Sequence, residues 1–322
     1  MNAFMRIRFE FSLWWNLKRV LNSSNIENVD LVIAVIPTLA AGLVAKNFVS
    51  KRRVPFGLIV QDLSGAGAKQ SGLKGGFLFS KIAKYVENSV VLRANSLVGV
   101  SPAISKVLKS VVGNENRVRT ISNYSARQIS NTDKKASRKY MGFNENSFLV
   151  LHTGNMGAKQ GLENVIHAAK ALTNEEYIEI VLIGHGNQEV SLKVLAEGMN
   201  NFRVLPAVSD EDYSKLLSSA DLLLVNERET QTDMSLPSKL TSYLFSNRPV
   251  IAAVPKNGAT WKFLDGIAEL VEAGNPMALA QKIVELSKNP NRLKELSDLG
   301  YKFAKENLDA EKGRQKYLDW VN

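Results

Sequence analysis

From Val29 onward the chain alternates short aliphatic and β-branched runs with segments patterned as helices. Such alternation leaves one economical way to bury apolar surface: parallel strands joined by crossover helices that lie on the sheet faces. In the first part the expected strands are Asp30–Ile36, Pro55–Gln61, Ser96–Val100 and Val118–Ser122, with helices near Thr38–Ser50, Gly76–Asn95 and Pro102–Val112. A polar stretch, Ser125–Lys135, and a short helix to Met141 then precede a second series of strands: Phe148–His152, Ile178–Ile183, Phe202–Leu205, Asp221–Val225, Pro249–Ala253 and Glu269–Val271. The expected fold class is therefore α/β, with two Rossmann-like domains in tandem. A length of 322 residues agrees, since single cores commonly run to roughly 100–200 residues. The boundaries are placed at 1–125, 126–302 and a closing helix, 303–322, packing back on the first domain.

The opening departs from this pattern. A doubly wound sheet normally begins with its central strand and a Gly-rich turn, whereas this chain opens on a helix-like segment, Phe9–Asn22. The first domain is accordingly expected to be incomplete at its start.

Composition removes several chemistries. With no Cys there is no disulfide, thiol nucleophile or iron–sulfur site, and the three His lack metal-ligand spacing. The longest apolar runs are strand-length, far short of the roughly 20 residues that span a bilayer, and the first ten residues do not read as a signal peptide. A cytoplasmic protein is expected. The net charge of +10 is unevenly placed: residues 1–125 hold 17 Lys and Arg against 6 Asp and Glu, and the remainder is close to neutral. A field confined to one end favours an anionic partner there. Phe11, Trp14, Trp15, Lys18 and Arg19 in the opening segment suit an anionic membrane surface. No aromatic stacking signature accompanies the charge, so nucleic acid is a poor partner.

Three loops carry the chemistry. Strand Phe148–His152 runs into Thr153-Gly154-Asn155-Met156-Gly157-Ala158-Lys159-Gln160-Gly161 and then the helical Leu162–Leu172. Glycines between strand and helix let backbone approach a ligand, and a helix start offers free N–H groups to phosphate. The spacing is neither that of the dinucleotide fingerprint nor that of a P-loop. A second turn, Gly184-His185-Gly186-Asn187, falls at the carboxyl end of the next strand of the same sheet, where ligands of parallel sheets bind. The third element, Asp233-Met234-Ser235-Leu236-Pro237-Ser238-Lys239-Leu240, opens a helix, with Pro237 in its first turn, Ser235 or Leu236 as cap, and Ser238 and Lys239 beside the positive end. Two phosphate-friendly helix starts in one domain point to a diphosphate. Asp210-Glu211-Asp212 has the form of a metal-chelating pair but follows Ser209 at a helix start, so it reads as capping.

With these residues in view, the sequence resembles family 4 glycosyltransferases of GT-B architecture, closest to bacterial exopolysaccharide and colanic-acid-type enzymes. The resemblance spans nearly the whole chain. It rests on Val35-Ile36-Pro37, Val54–Leu63, Gly99-Val100-Ser101-Pro102 and Asn123, and then on Thr153–Gly157, Gly184-x-Gly186, Ser219-Ala220-Asp221, Leu236–Leu240 and Arg248–Ala252. It implies two Rossmann domains facing a cleft and a retaining, metal-independent transfer from a nucleotide diphosphate-sugar to a glycan, with no cofactor beyond that donor substrate. By the same resemblance Gly154, Asn155, Gly157 and Lys159 on one loop, and Ser238 and Lys239 on the other, would stabilise the leaving diphosphate. Gly184 and Gly186 would pass near the nucleotide, Leu205 and Pro206 would meet the base, and Ser242 occupies the slot of a ribose-binding Glu. Asp62 and Gln61 would lie on the acceptor side, Asp62 with a catalytic role alongside Lys159 and Lys239, and Asn123 near the hinge. Relatives carry Arg and Lys where this chain has Asn155 and Gln160, leaving Lys159 to compensate. They also begin with a strand, an acceptor loop and further elements before anything like Phe9–Asn22. A catalytically silent or split nucleotide-sugar-binding chain that needs a partner, and a GT-B epimerase, are the alternative readings.

Overall fold

The computed structural model describes residues 3–24, 26, 28–63, 76–124, 129–230 and 236–322, without side-chain detail at 3, 4 and 76–80. The start of the 125–135 polar stretch, Asp233, Met234 and one of the two candidate caps, Ser235, lie outside the described residues. Two compact units emerge, one from Met1–Ser122 with Thr232–Leu236 and Gly313–Asn322, the other from Asn123–Gln231 with Pro237–Lys312.

The first unit is a four-stranded parallel sheet, β1 (Val32–Ile36), β2 (Phe56–Val60), β3 (Ser96–Gly99) and β4 (Val118–Thr120), in the order β1-β2-β3-β4. One face is sealed by Val49, Val90, Ile104 and Leu108 from three crossover helices, packed on Ile36, Leu58 and Leu97. The opposite face is covered around Val98 and Ile121 by Trp320 from the last helix, Ala310–Val321. Gly57 makes this close approach feasible, because a Cβ there would stand 2.7 Å from the Trp320 ring. On the same sheet's edge strand β1, Ile33 and Val35 are 43% and 47% exposed.

The opening segment forms a longer helix than its pattern suggested, Ala3–Ser23. Its Glu10 caps a neighbouring element. Thr38 makes no side-chain cap for the helix Leu39–Arg52, and the Glu10 carboxylate instead accepts from the Ala40 N–H at 2.9 Å. A negative group at a helix N-terminus also offsets its dipole.

The second unit is a six-stranded parallel sheet ordered β10-β9-β8-β5-β6-β7. Its strands are β5 (Phe148–Asn155), β6 (Ile178–His185), β7 (Phe202–Leu205), β8 (Leu222–Asn226), β9 (Val250–Val254) and β10 (Glu269–Glu272). Sequence order runs outward from β5 on one side and from β8 on the other, so the order reverses between them, the place where α/β sheets bind ligands. Residues 149–153 of β5 are all buried, as expected of a central strand covered on both faces. The unit is cross-braced by the buried Arg138, which pairs with Asp221 and donates to the carbonyls of Ser219, Glu145 and Ser147.

Two elements differ from the pattern reading. The closing segment is not one helix: Pro290–Asn307 ends, and Asp309 accepts from the Lys312 N–H at 3.0 Å to cap a new helix. Pro237 is not in a helical first turn. The helix begins at Lys239 with Ser238 before it, and the Pro237 carbonyl takes the Leu240 N–H in a tighter turn. Ser209 caps Asp210–Ser219 as its spacing predicts, accepting from the Asp212 N–H at 3.2 Å.

Candidate functional site

At the carboxyl ends of the strands of the second unit lies a cavity of roughly 550 Å³, within the range of small-molecule sites. It is lined from β5 by Thr153, Gly154 and Asn155, from β6 by Ile183, Gly184 and His185, after β7 by Ala207 and Val208, and from the third loop by Pro237, Ser238, Lys239 and Ser242. Gln160, Tyr213 and Leu216 complete the wall.

The glycines fix how the first two loops meet. β5 and β6 stay paired through Gly154 opposite Gly184 and Asn155 opposite His185. A Cβ at Gly184 would lie 1.8 Å from the Gly154 carbonyl oxygen, and one at Gly186 would lie 2.2 Å from that of Met156. Both turns therefore require glycine first for backbone approach. Gly184 lines the cavity, whereas Gly186 packs behind it.

The first loop and the third also converge. A Cβ at Gly154 would stand 3.4 Å from Cε and 3.5 Å from Nζ of Lys239, which places the ammonium over that glycine. Lys239 is half-buried as a residue, with its ammonium at the inner end against His152, whose Nε2 lies 2.8 Å away. On its other side the imidazole Nδ1 is 3.0 Å from the Leu224 carbonyl of β8. A carbonyl only accepts, so Nδ1 carries the proton and Nε2 is left to accept from Lys239. Burial, reinforced by the Lys239 charge, holds His152 well below the usual imidazole range, so it is neutral. Burial lowers Lys239 itself to about 7, opposed by the negative charge of Glu227.

Hydroxyls line the neighbouring wall. The Thr153 N–H donates to Tyr243 Oη at 2.7 Å, and Thr153 Oγ1 lies 3.1 Å from Tyr213 Oη. Burial pushes the Tyr243 phenol well above its usual value, so it stays protonated. The fully buried Asn226 donates to the carbonyls of Gln160 and Gly161 at 2.7 and 2.9 Å, tying the glycine loop to β8.

Of the residues singled out from the sequence, Gly154, Asn155, Gly184, Ser238, Lys239 and Ser242 come together on this cavity. Gly157, Lys159, Leu205 and Pro206 are not part of its lining. Lys159 is exposed in a short 3-10 turn, Ala158–Gln160, its carbonyl held by the Arg228 N–H. Gln61 and Asp62 follow β2 in the first unit, the Gln61 N–H bonded to the Ile36 carbonyl and Asp62 Oδ1 accepting from the Leu63 N–H at 2.8 Å. Asn123 opens the second unit. His152, Tyr213, Tyr243 and Asn226 were not singled out; His152 falls two positions before Gly154 in an otherwise aliphatic strand, and that polar interruption is the signal that could have found it.

Paired parallel α/β units in one chain, with a cavity at the strand ends of the second, are the architecture of GT-B enzymes. Within that class the chain belongs to the family described as Glycosyl transferases group 1, whose model matches residues 133–303. It is 29% identical over 307 residues to the colanic acid biosynthesis glycosyl transferase WcaI of Escherichia coli, an alignment covering 90% of this chain and 73% of that one. Among solved structures it is similar to Alr3699/HepE of Anabaena in complex with UDP, with a TM-score of 0.77 and 17% identity over 96% of this chain and 81% of that one. The sucrose-phosphate synthase of Thermosynechococcus elongatus is similar in fold too, with a TM-score of 0.75 and 15% identity over 95% and 75% of the two chains.

Proposed function

We propose that this glycosyltransferase moves a sugar from a nucleoside diphosphate-sugar to a lipid-linked glycan in bacterial surface polysaccharide synthesis, with retained configuration and no metal ion in the step. The observation that carries the donor assignment is the meeting of Lys239 with Gly154 on the cavity wall. A fixed ammonium beside open backbone offsets charge as the glycosyl bond to the diphosphate breaks and a bond to the acceptor hydroxyl forms. The complex of Alr3699/HepE with UDP supports a uridine nucleotide as the first donor to try, and the name of WcaI supports a polysaccharide product. Asp62 and Gln61, at the carboxyl end of β2, are assigned to the acceptor, and Asn123 to the hinge.

Calorimetric titration with UDP, GDP and ADP tests this reading, alongside Lys239→Ala and Lys159→Ala. Micromolar affinity for one nucleotide, weakened by Lys239→Ala, is the expected result. Failure of all three nucleotides to bind overturns the reading. Binding without sugar transfer favours a silent or split transferase in its place, and Asp62→Asn is expected to lower turnover while leaving nucleotide affinity unchanged.

A membrane partner for the first unit belongs to the same proposal. Phe9, Phe11 and Trp15 are 55%, 63% and 59% exposed on the opening helix, which also carries Arg8, Lys18 and Arg19 on exposed positions. Aromatic and cationic groups on one surface suit an anionic bilayer interface, although no helix among the described residues is long and apolar enough to cross a membrane. Co-sedimentation with liposomes that does not depend on anionic lipid would sink this part.

A further inference from the structure

Resting on the donor-site reading above, we infer that His152 is a positioning residue: its Nε2 is the acceptor that holds the Lys239 ammonium over Gly154 at the cavity wall. His152 is fully buried and is not part of the cavity lining, so it acts on a ligand through Lys239. Its ring is clamped at both ends, by the Leu224 carbonyl at 3.0 Å and by Lys239 Nζ at 2.8 Å. The carbonyl belongs to β8 and the histidine to β5, the pair between which strand order reverses. The imidazole is thus anchored between two buried central strands, while the lysine it holds comes from a seven-residue helix.

A lysine side chain is flexible and its ammonium rotates freely. Left to water it would sample many directions, and binding a diphosphate would then require fixing one of them. An acceptor placed behind the ammonium fixes that direction beforehand and leaves two N–H groups for the ligand. His152 suits this role because it accepts without competing in charge. Glu227 supplies the negative field from the end of β8, its carboxylate accepting from Thr260 Oγ1 at 2.7 Å.

The test uses the full chain and two readouts. In calorimetric titration with UDP, His152→Gln, which keeps an amide oxygen for Lys239, is expected to stay within about threefold of wild type. His152→Met, which keeps volume without a strong acceptor, is expected to lose about tenfold or more. Combined with Lys239→Met it is expected to lose no more than Lys239→Met alone, since the two residues act as one unit. Melting temperatures separate these effects from misfolding. The second readout needs no nucleotide: acylation of Lys239 by an amine-reactive ester, followed by peptide mass, is expected to change at least about threefold in His152→Met and to stay near wild type in His152→Gln. Unchanged acylation in folded His152→Met overturns the inference, as does wild-type UDP affinity in that variant. A changed acylation rate in a protein that binds none of UDP, GDP or ADP overturns the donor-site reading alone and leaves the lysine-holding role supported.

Discussion

At the scale of single residues, the site is built by opposing costs. Lys239 sits where burial disfavours its charge, and its ammonium loses its proton at about pH 7 instead of its usual 10.5. A diphosphate reverses that preference, because a bound anion stabilises the protonated form. If a nucleotide diphosphate binds at Lys239 as proposed, its binding is expected to take up a proton when the pH lies above 7. Affinity for UDP is expected to be greatest below pH 7 and to fall as pH rises through that value, by up to about tenfold per pH unit. Titrations between pH 7 and 9 check this, and Lys239→Met is expected to abolish the slope. Gly184 meets a different kind of constraint: at φ +152°, with the Gly154 oxygen 1.8 Å from where a Cβ would stand, it has no room for a side chain. Gly184→Ala is expected to cost about 3 kcal/mol, read as a lower urea midpoint and a lost nucleotide site.

At the scale of elements, the strands were the most legible part of the sequence. Each of the ten strands among the described residues overlaps a run expected from the sequence, and the central β8 and β9 are apolar almost throughout because both their faces are buried, whereas the edge strands β4 and β10 carry charged residues. The ends were less legible. β5 and β6 extend to Asn155 and His185, through glycines that look like turn formers in sequence but remain paired because Gly184 lets the Gly154 backbone close in. The same ambiguity affected the lysines. Lys159 stands exposed in the 3-10 turn of the glycine loop, whereas Lys239 lies inward against a histidine 87 positions earlier. Such a partnership is set by strand order, which no local pattern encodes. The last helix shows how a remote element completes a sheet: Trp320 covers Gly57 and packs with Val98 and Ile121. Trp320→Ala is expected to destabilise the first unit by roughly 3 kcal/mol, seen as an earlier chemical denaturation transition with nucleotide affinity retained.

At the scale of the whole molecule, the two compact units have separate cores and the cavity belongs to one of them. Ligand-linked stabilisation should be local in the same way. On the proposed donor reading, UDP at about 100 times its Kd is expected to stabilise the second unit by about 2.7 kcal/mol, so scanning calorimetry is expected to show one transition moving up by several degrees while another stays in place. A single transition that shifts as a whole would mean that the units unfold together.

The outermost strand of the first sheet has a consequence for handling the protein. β1 reads Val-Ile-Ala-Val-Ile, with neither charge nor proline, and its outer side, which pairs with no strand among the described residues, offers a row of backbone donors and acceptors beside exposed Ile33 and Val35. Soluble proteins ordinarily blunt such borders with lysine, proline or a bulge. An open edge of this kind accepts another strand in register, so light scattering is expected to rise steeply with concentration at ionic strengths that keep the protein folded. Replacing Val35 with Lys should flatten that rise.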